Sequence, residues 1–285
     1  MAAARALATH GDVLLPLCDG GDGFLECLAN SLGGRIEELP APDPHGRIKP
    51  VSILKLPDGT VAVESAKVIG LAGLEKTNPM KTSSAGLGHL LAILQSAPRL
   101  LIGLGGTATV DGGMGWPEIK LPPTKVFCDV TTDLCDAVRL FAPQKGARPK
   151  DLPRLQERLM ALGLPRGEHT GAAGGLGAKL KSMGAELVGG APAMMDLLGF
   201  DDACLQCTAV LTGEGRLDAS TLEGKLPMAV ALRARLLGRA AIGCFGCRGT
   251  GWEEASLLFD EVSFIEDQKN WIFGNRLFPK TQNYL

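Results

Sequence analysis

The chain has 285 residues, 45% hydrophobic and 21% charged, with a net charge of −2 from 29 basic and 31 acidic side chains. That balance suits a globular protein of one large or two ordinary domains and excludes a basic footprint for nucleic acid. Aromatic content of 5%, with one tyrosine, excludes a stacking platform for bases, and no apolar run reaches the roughly 18 residues of a membrane span.

Residues 1–9 are alanine-rich with one arginine and have no apolar core of a secretory signal, so the chain reads as cytoplasmic, with organelle targeting the weaker alternative. Asp12 to Leu17 is a short apolar run ending at Cys18-Asp19-Gly20-Gly21-Asp22-Gly23. Phe24 to Ser31 has helical spacing, stopped by Gly33-Gly34. Val51 to Leu56 and Thr60 to Glu64 flank Asp58-Gly59 and predict a β-hairpin. Ala85 to Gln95 predicts a helix leading into a buried strand, Leu100 to Ile102, which breaks into Gly103-Leu104-Gly105-Gly106-Thr107-Ala108-Thr109-Val110-Asp111. A glycine turn after a strand exposes several backbone N–H groups at one point and suits an anion.

Trp116 to Lys125 carries three prolines and reads as a connector. Val126 to Cys128 is a strand ending at Asp129, and Pro143 to Gly146 is a loop. Asp151 to Leu162 predicts an amphipathic helix. Gly171 to Gly177 is a second glycine turn ahead of a helix over Ala178 to Met183. Thr208 to Leu211 is a strand running into a polar loop, Thr212 to Asp218; Gly224-Lys225-Leu226-Pro227 opens a helix to Leu237, and Ala240 to Phe245 is the last clean strand. From Trp252 the pattern loosens, and the 270–285 tail has no period. Short strands alternating with helices predict an α/β fold with a mainly parallel, Rossmann-like sheet and ligands at the strands' carboxyl ends.

Known motifs can be tested against these loops. A Walker reading of Gly224-Lys225 fails at Ala219 and at Leu226. Gly103-x-Gly105-x-x-Ala108 with Asp129 about 20 residues later fits a dinucleotide fingerprint, which keeps a nicotinamide-dependent oxidoreductase open. The pairs Cys204/Cys207 and Cys244/Cys247 could hold zinc, but about 36 residues lie between them and reduced core cysteines are the simpler reading. There is no Gly-x-Ser-x-Gly elbow, and the four histidines, His10, His45, His89 and His169, read as scattered surface or helix residues. What recurs is a strand end with glycine and a carboxylate, at Asp19/Asp22, Asp111, Asp129 and Glu214/Asp218, with Lys145, Lys225 and Arg216 as cations. Carboxylates can hold Mg²⁺, and cations with backbone N–H groups neutralise phosphoryl oxygens, so the set suits phosphoryl transfer to a small polar acceptor. Each acid could alternatively be a helix cap.

Asp19-Gly20-Gly21-Asp22-Gly23, Ile102 to Gly113, Cys128-Asp129-Val130-Thr131, Pro143 to Ala147, Gly171 to Gly175 and Thr212 to Asp218 occur in the order seen in type I glycerate kinases, which the chain resembles over roughly residues 12 to 250. The resemblance implies ATP- and Mg²⁺-dependent phosphorylation of D-glycerate, commonly to 2-phosphoglycerate, by a monomer or homodimer of two α/β domains with the active site in a cleft between them. The expected domains are 1–40 with 190–285, and an inserted 41–189. The clustering of these acids and cations at strand ends suggests Asp129, Asp111 and Lys225 as catalytic. Gly105, Gly106, Thr107, Thr109, Lys145, Gly174 and Gly175 would bind ATP. Arg216, Glu214, Asp218 and Asp19 would bind substrate, and Asp22 with Asp111 would hold the metal. Where the family opens with a lysine-bearing loop, the chain has only residues 1–11; the family's asparagine is Val110, and the segment after Met114 is shorter. A shortened relative that binds without turnover is therefore the second alternative.

Overall fold

The computed structural model describes residues 12–74, 77–265, 270–273 and 276–279, so the reading of residues 1–9 lies outside the described residues. The chain divides into two units: residues 18–194, and residues 195–285 with the stretch up to residue 17.

The larger unit is built on a six-stranded sheet in chain order: β1 (Arg35–Pro42), β2 (Ile48–Lys55), β3 (Val61–Glu64), β4 (Leu100–Leu104), β5 (Thr124–Cys128) and β6 (Glu186–Gly189). The expected hairpin is present, with Ile53 opposite Val63. β1 extends it antiparallel at the edge, and its prolines and charges, which hide it in the sequence, are tolerated on an edge strand. From β3 to β6 all pairings are parallel. The sequence expectation ended the first domain segment at residue 40. Residues 18–40 instead fall in the larger unit, because β1 pairs along its whole length with β2 and α1 (Phe24–Leu32) lies before it in the same unit.

All five β4 residues are buried, as a strand covered on both faces requires. Leu100, Ile102 and Leu104 pack in one core with Val61, Val63 and with Leu87, Leu90 and Leu91 of α3 (Ala85–Ile93), which follows α2 (Ser65–Ile69). Helix α3 can sit this close only because Gly86 has no side chain: a methyl there would lie 1.8 Å from the Pro42 carbonyl oxygen. Gly86→Ala should therefore destabilise the protein by about 1–3 kcal/mol, although alanine is the better helix former, as read by urea unfolding; a neutral or stabilising result would disprove the close packing.

The β4–β5 crossover, residues 105–123, contains no helix. β5 leads through α4 (Ala137–Phe141), α5 (Leu152–Met160) and α6 (Ala172–Ser182) to β6. Leu155 and Leu159 of α5 bury against Leu134, Val138, Ala178 and Val110, so Val110 is a core residue. After β6 come α7 (Gly190–Leu197) and α8 (Phe200–Leu205).

The smaller unit carries a parallel sheet of β7 (Ala209–Leu217), β8 (Ala240–Arg248) and β9 (Glu261–Phe264), with α9 (Leu226–Leu236) and α10 (Trp252–Ser256). Its core joins Leu217, Val230, Ala234, Phe245, Phe259 and Phe264. The polar stretch expected as a loop after Leu211 continues as strand: Glu214 pairs with Phe245 and Arg216 with Cys247. In the region where the sequence pattern loosens, β10 (Asn270–Phe273) and β11 (Arg276–Pro279) form an antiparallel pair. No helix among the described residues is long and apolar enough to cross a membrane.

Candidate functional site

Register places the site. Glu64 pairs with Gly103, Gly103 with Phe127 and Leu104 with Cys128, so β3, β4 and β5 end together. The residues that follow, Ser65, Gly105 and Asp129, lie along the carboxyl edge of the sheet, where parallel α/β folds bind ligands. The lack of a side chain at Gly105 makes the convergence possible. A methyl there would lie 2.5 Å from Asp129 Oδ2 and 3.0 Å from the Gly21 Cα. One at Gly106 would lie 3.2 Å from Asp22 Oδ1. Two loops far apart in sequence, 19–23 and 105–107, are thus held against Asp129.

Asp129 is half-buried, and burial pushes its carboxyl up to about 7. The charge of Asp19 raises it further, Lys145 opposes the rise, and Asp22 adds to it. Lys145 is buried at 4% exposure in a short turn, Pro143–Lys145. Its Nζ donates to Thr107 Oγ1 at 3.1 Å and to the Thr109 carbonyl at 2.9 Å. Burial lowers the ammonium to about 8, against the pull of Asp129 and Asp111. The Thr109 hydroxyl is buried and has no hydrogen-bond partner among the described residues. Gly105, Gly106, Thr107, Asp129, Lys145 and Ala173 line a cleft of about 130 Å³.

The second glycine turn forms part of the same wall. Ala173, Gly174 and Gly175 all have positive φ, 51°, 69° and 92°, so α6 starts with a left-handed turn rather than the plain loop expected ahead of Ala178. Gly174 packs on the Thr109 backbone, where a methyl would lie 2.2 Å from the Thr109 carbonyl oxygen. Gly175 abuts Leu159 and Leu134, on the core side.

Asp111 is buried as a structural anchor. Its Oδ2 accepts from the Ser84 backbone N–H at 2.7 Å, at the start of α3, and its Oδ1 from the Gly113 N–H at 3.4 Å. Burial raises its carboxyl above the usual range. Asp19 is half-buried and accepts from the Gly21 N–H at 3.2 Å; Asp22 is exposed.

In the smaller unit, Asp218 caps the turn 219–223, accepting from the Ser220 N–H at 2.9 Å, and the Ser220 hydroxyl holds its carboxyl below the usual range. Glu214 accepts from the Thr221 hydroxyl at 2.6 Å, and Lys225 Nζ lies 3.6 Å from its other oxygen. Arg216 is exposed. The capping alternative weighed for each acid thus describes Asp218.

Two other expectations can be compared with the geometry. A dinucleotide fingerprint needs a helix to follow its glycines, and residues 105–123 supply none. Cys204 and Cys244 are buried at 3% and 9% exposure in α8 and β8, as small core residues. His169 is not a surface residue: it is 8% exposed at φ 65°, and its Nδ1 lies 2.7 Å from the Val130 carbonyl, next to Asp129. Glu64 and Ser65 also reach the site loops and were not singled out by their sequence. The signal for Glu64 was available, since it is an acid closing an apolar strand, the same design as Asp129.

Comparison with known proteins bears on what this edge does. A family model described as the glycerate kinase family matches residues 2–118 and 117–270, the two matches meeting within the helix-free crossover. The chain is 30% identical to a glycerate kinase of Haemophilus influenzae, covering 87% of this chain and 79% of the relative. It is 31% identical to a glycerate 2-kinase of Escherichia coli K12, covering 82% and 76%. Its structure matches the crystal structure of a glycerate kinase 2 from Salmonella typhimurium LT2 with a TM-score of 0.71 at 29% identity, over 88% of this chain and 80% of that one. A family match along nearly the whole chain and these relatives agree: the chain belongs to the glycerate kinase family.

Proposed function

We propose that the protein transfers the γ-phosphoryl group of ATP to the 2-hydroxyl of D-glycerate, giving 2-phosphoglycerate and ADP. The observation that carries this reading is Asp129. It is a carboxyl raised to about 7, standing at a strand end beside a buried lysine and a glycine turn. A base of that strength can take a hydroxyl proton at neutral pH. In the proposed reaction the substrate oxygen bonds to phosphorus as the bond to the ADP oxygen breaks, and the hydroxyl proton passes to Asp129. Lys145 uses two of its three donors on Thr107 and Thr109, and its third offers charge to a phosphate oxygen. The N–H groups of the 105–107 turn supply further donors.

Asp19 and Asp22 fit a magnesium ion. Both add negative charge at Asp129, an excess that a cation relieves, and magnesium takes one or two carboxylates with phosphate oxygens rather than a full protein cage. When bound, it would neutralise charge on the phosphates. Asp111, with both oxygens on backbone N–H groups, is assigned to positioning α3 and the 109–113 turn. In the smaller unit, Arg216 is assigned to a carboxylate and Lys225 to phosphate charge, on side-chain chemistry alone. The choice of the 2-hydroxyl is supported by the name of the E. coli relative.

An assay coupling ADP release to D-glycerate, with the product position read by phosphorus NMR, tests the proposal. ADP formation that needs both glycerate and ATP is the expected result. No glycerate-dependent ADP, together with no thermal shift on adding ATP, would overturn it.

A further inference from the structure

Two adjacent residues at the end of β3 hold the two loops that meet at Asp129, and neither faces the cleft. Glu64 is 1% exposed, with its Oε1 accepting from the Gly23 N–H at 3.3 Å and its Oε2 from the Leu25 N–H at 3.1 Å. Ser65 is fully buried. Its hydroxyl donates to the Gly105 carbonyl at 2.9 Å and accepts from the Gly105 N–H at 3.1 Å. One hydroxyl therefore fixes both polar groups of the residue that opens the glycine turn.

We propose that Glu64 and Ser65 are a positioning pair: Glu64 sets the acidic 19–23 loop and Ser65 sets the 105–107 turn, so that one rigid strand end spaces the metal-binding carboxylates from the phosphate donors. This rests on the kinase reading above for the roles of the two loops.

The argument for Glu64 is what it leaves free. The first N–H groups of a helix need acceptors, and residues just before it normally provide them. Helix α1 begins after Gly23, which has no side chain to offer. Glu64, 41 residues on, does the capping instead. Asp22, next to the cap, then keeps its carboxylate exposed beside Gly106. The acid that a helix start would ordinarily consume is left for a ligand. Burial raises the Glu64 carboxyl against the pull of those two N–H groups, as a carboxylate placed for geometry in the interior would show.

The argument for Ser65 is economy of motion. Gly105 has no side chain by which to be held, and Asp129 Oδ2 occupies the space where that side chain would stand, so a shift of the Gly105 backbone would change the room left for the carboxylate. Pinning its carbonyl and N–H to one buried oxygen fixes the two peptide units that flank Gly105. The following N–H groups of the turn remain for a ligand.

The pair separates by experiment. Ser65→Ala should raise the ATP KM by about 10–100-fold, the scale usual for removing a supporting hydrogen bond, and leave the magnesium dependence and the glycerate KM near wild type. Glu64→Gln should raise the magnesium concentration for half-maximal activity by a similar factor, with smaller change in ATP KM at saturating magnesium. Amide hydrogen exchange gives a readout independent of turnover: the peptide carrying Gly105 should exchange faster in Ser65→Ala, and that carrying Gly23 and Leu25 faster in Glu64→Gln, each without the other. Unchanged exchange in both folded variants, or equal loss of every parameter in both, would overturn the pairing. Either variant decides its own half should the other fail to fold. If the wild-type protein shows no glycerate-dependent ADP release, the kinase reading fails while the exchange pattern still decides the clamp.

Discussion

Asp129→Asn is expected to lower kcat by about 10²–10⁴-fold while the protein melts at a higher temperature than wild type at pH 8. The first part follows from removing the proposed proton acceptor without changing shape. The second follows from the raised carboxyl. The unfolded chain loses this proton near 3.8, the folded chain near 7. Between those values the folded state binds more protons, so its stability falls as pH rises, and the whole penalty is present above about 7. Asparagine carries no such penalty. Below about 3.8, where both forms of Asp129 are protonated, the two proteins should melt alike. Loss of activity with a gain in melting temperature separates a chemical role from misfolding. Near-wild-type turnover would remove Asp129 from the reaction, and a lower melting temperature at pH 8 would contradict its burial.

The wild-type pH profile follows from the same pair. The base must be ionised, so kcat/KM should rise through about pH 7; the ammonium of Lys145 must be charged, so activity should fall above about pH 8. The expected optimum is narrow and lies between those limbs. A profile flat across about pH 6 to 9 would show that neither group acts in the free enzyme.

Much of this edge could be read from the residues in order. Strands at Leu100 and Val126, the hairpin at Asp58-Gly59 and the helix after Ala85 carry local signals: apolar runs of strand length, a turn dipeptide, a helical period. The glycine–carboxylate repetition marks loops that lie near one another in the fold, because close approach of backbones needs glycine and a strand end needs a polar residue. Asp19, Asp22 and Lys145 lie near enough to Asp129 for their charges to bear on it. What sequence order does not carry is which acids spend their oxygens on backbone N–H groups. Asp111, Asp218 and Asp129 all lie at or just beyond strand ends, yet the first anchors the Ser84 N–H and the second caps 219–223. That difference is decided by burial and by partners tens of residues away. β1 escaped for a related reason: its Pro40 and Pro42 argue against a strand until the edge position is known. His169 has no periodic signal, because its place is fixed by a strained backbone and by the Val130 carbonyl.

Lys145→Met provides the second large effect, and its sign can be worked out for two observables. Methionine matches the length of lysine but removes the charge and both hydrogen bonds, leaving the buried Thr109 carbonyl unpaired. Stability should change little at pH 7. The lost hydrogen bonds oppose a gain, because a lysine lowered to about 8 by burial disfavours the folded state wherever it must be protonated, and methionine escapes that cost. Nucleotide binding should change much more. The ATP-induced thermal shift should collapse, and kcat/KM for ATP should fall by about 10²–10³-fold, the scale seen when one preorganised donor to a developing charge is removed. The pH profile of the residual activity then identifies the cause. Lys145 is the cation that holds Asp129 down, against burial and the charges of Asp19 and Asp22. Without it the Asp129 carboxyl should titrate above about 7, so the acid limb moves to higher pH, and the limb near 8 disappears because its group is gone. A variant that keeps its ATP shift, or loses activity with both limbs unmoved, would show that Lys145 braces the Thr107–Thr109 backbone and takes no part in the electrostatics of the site.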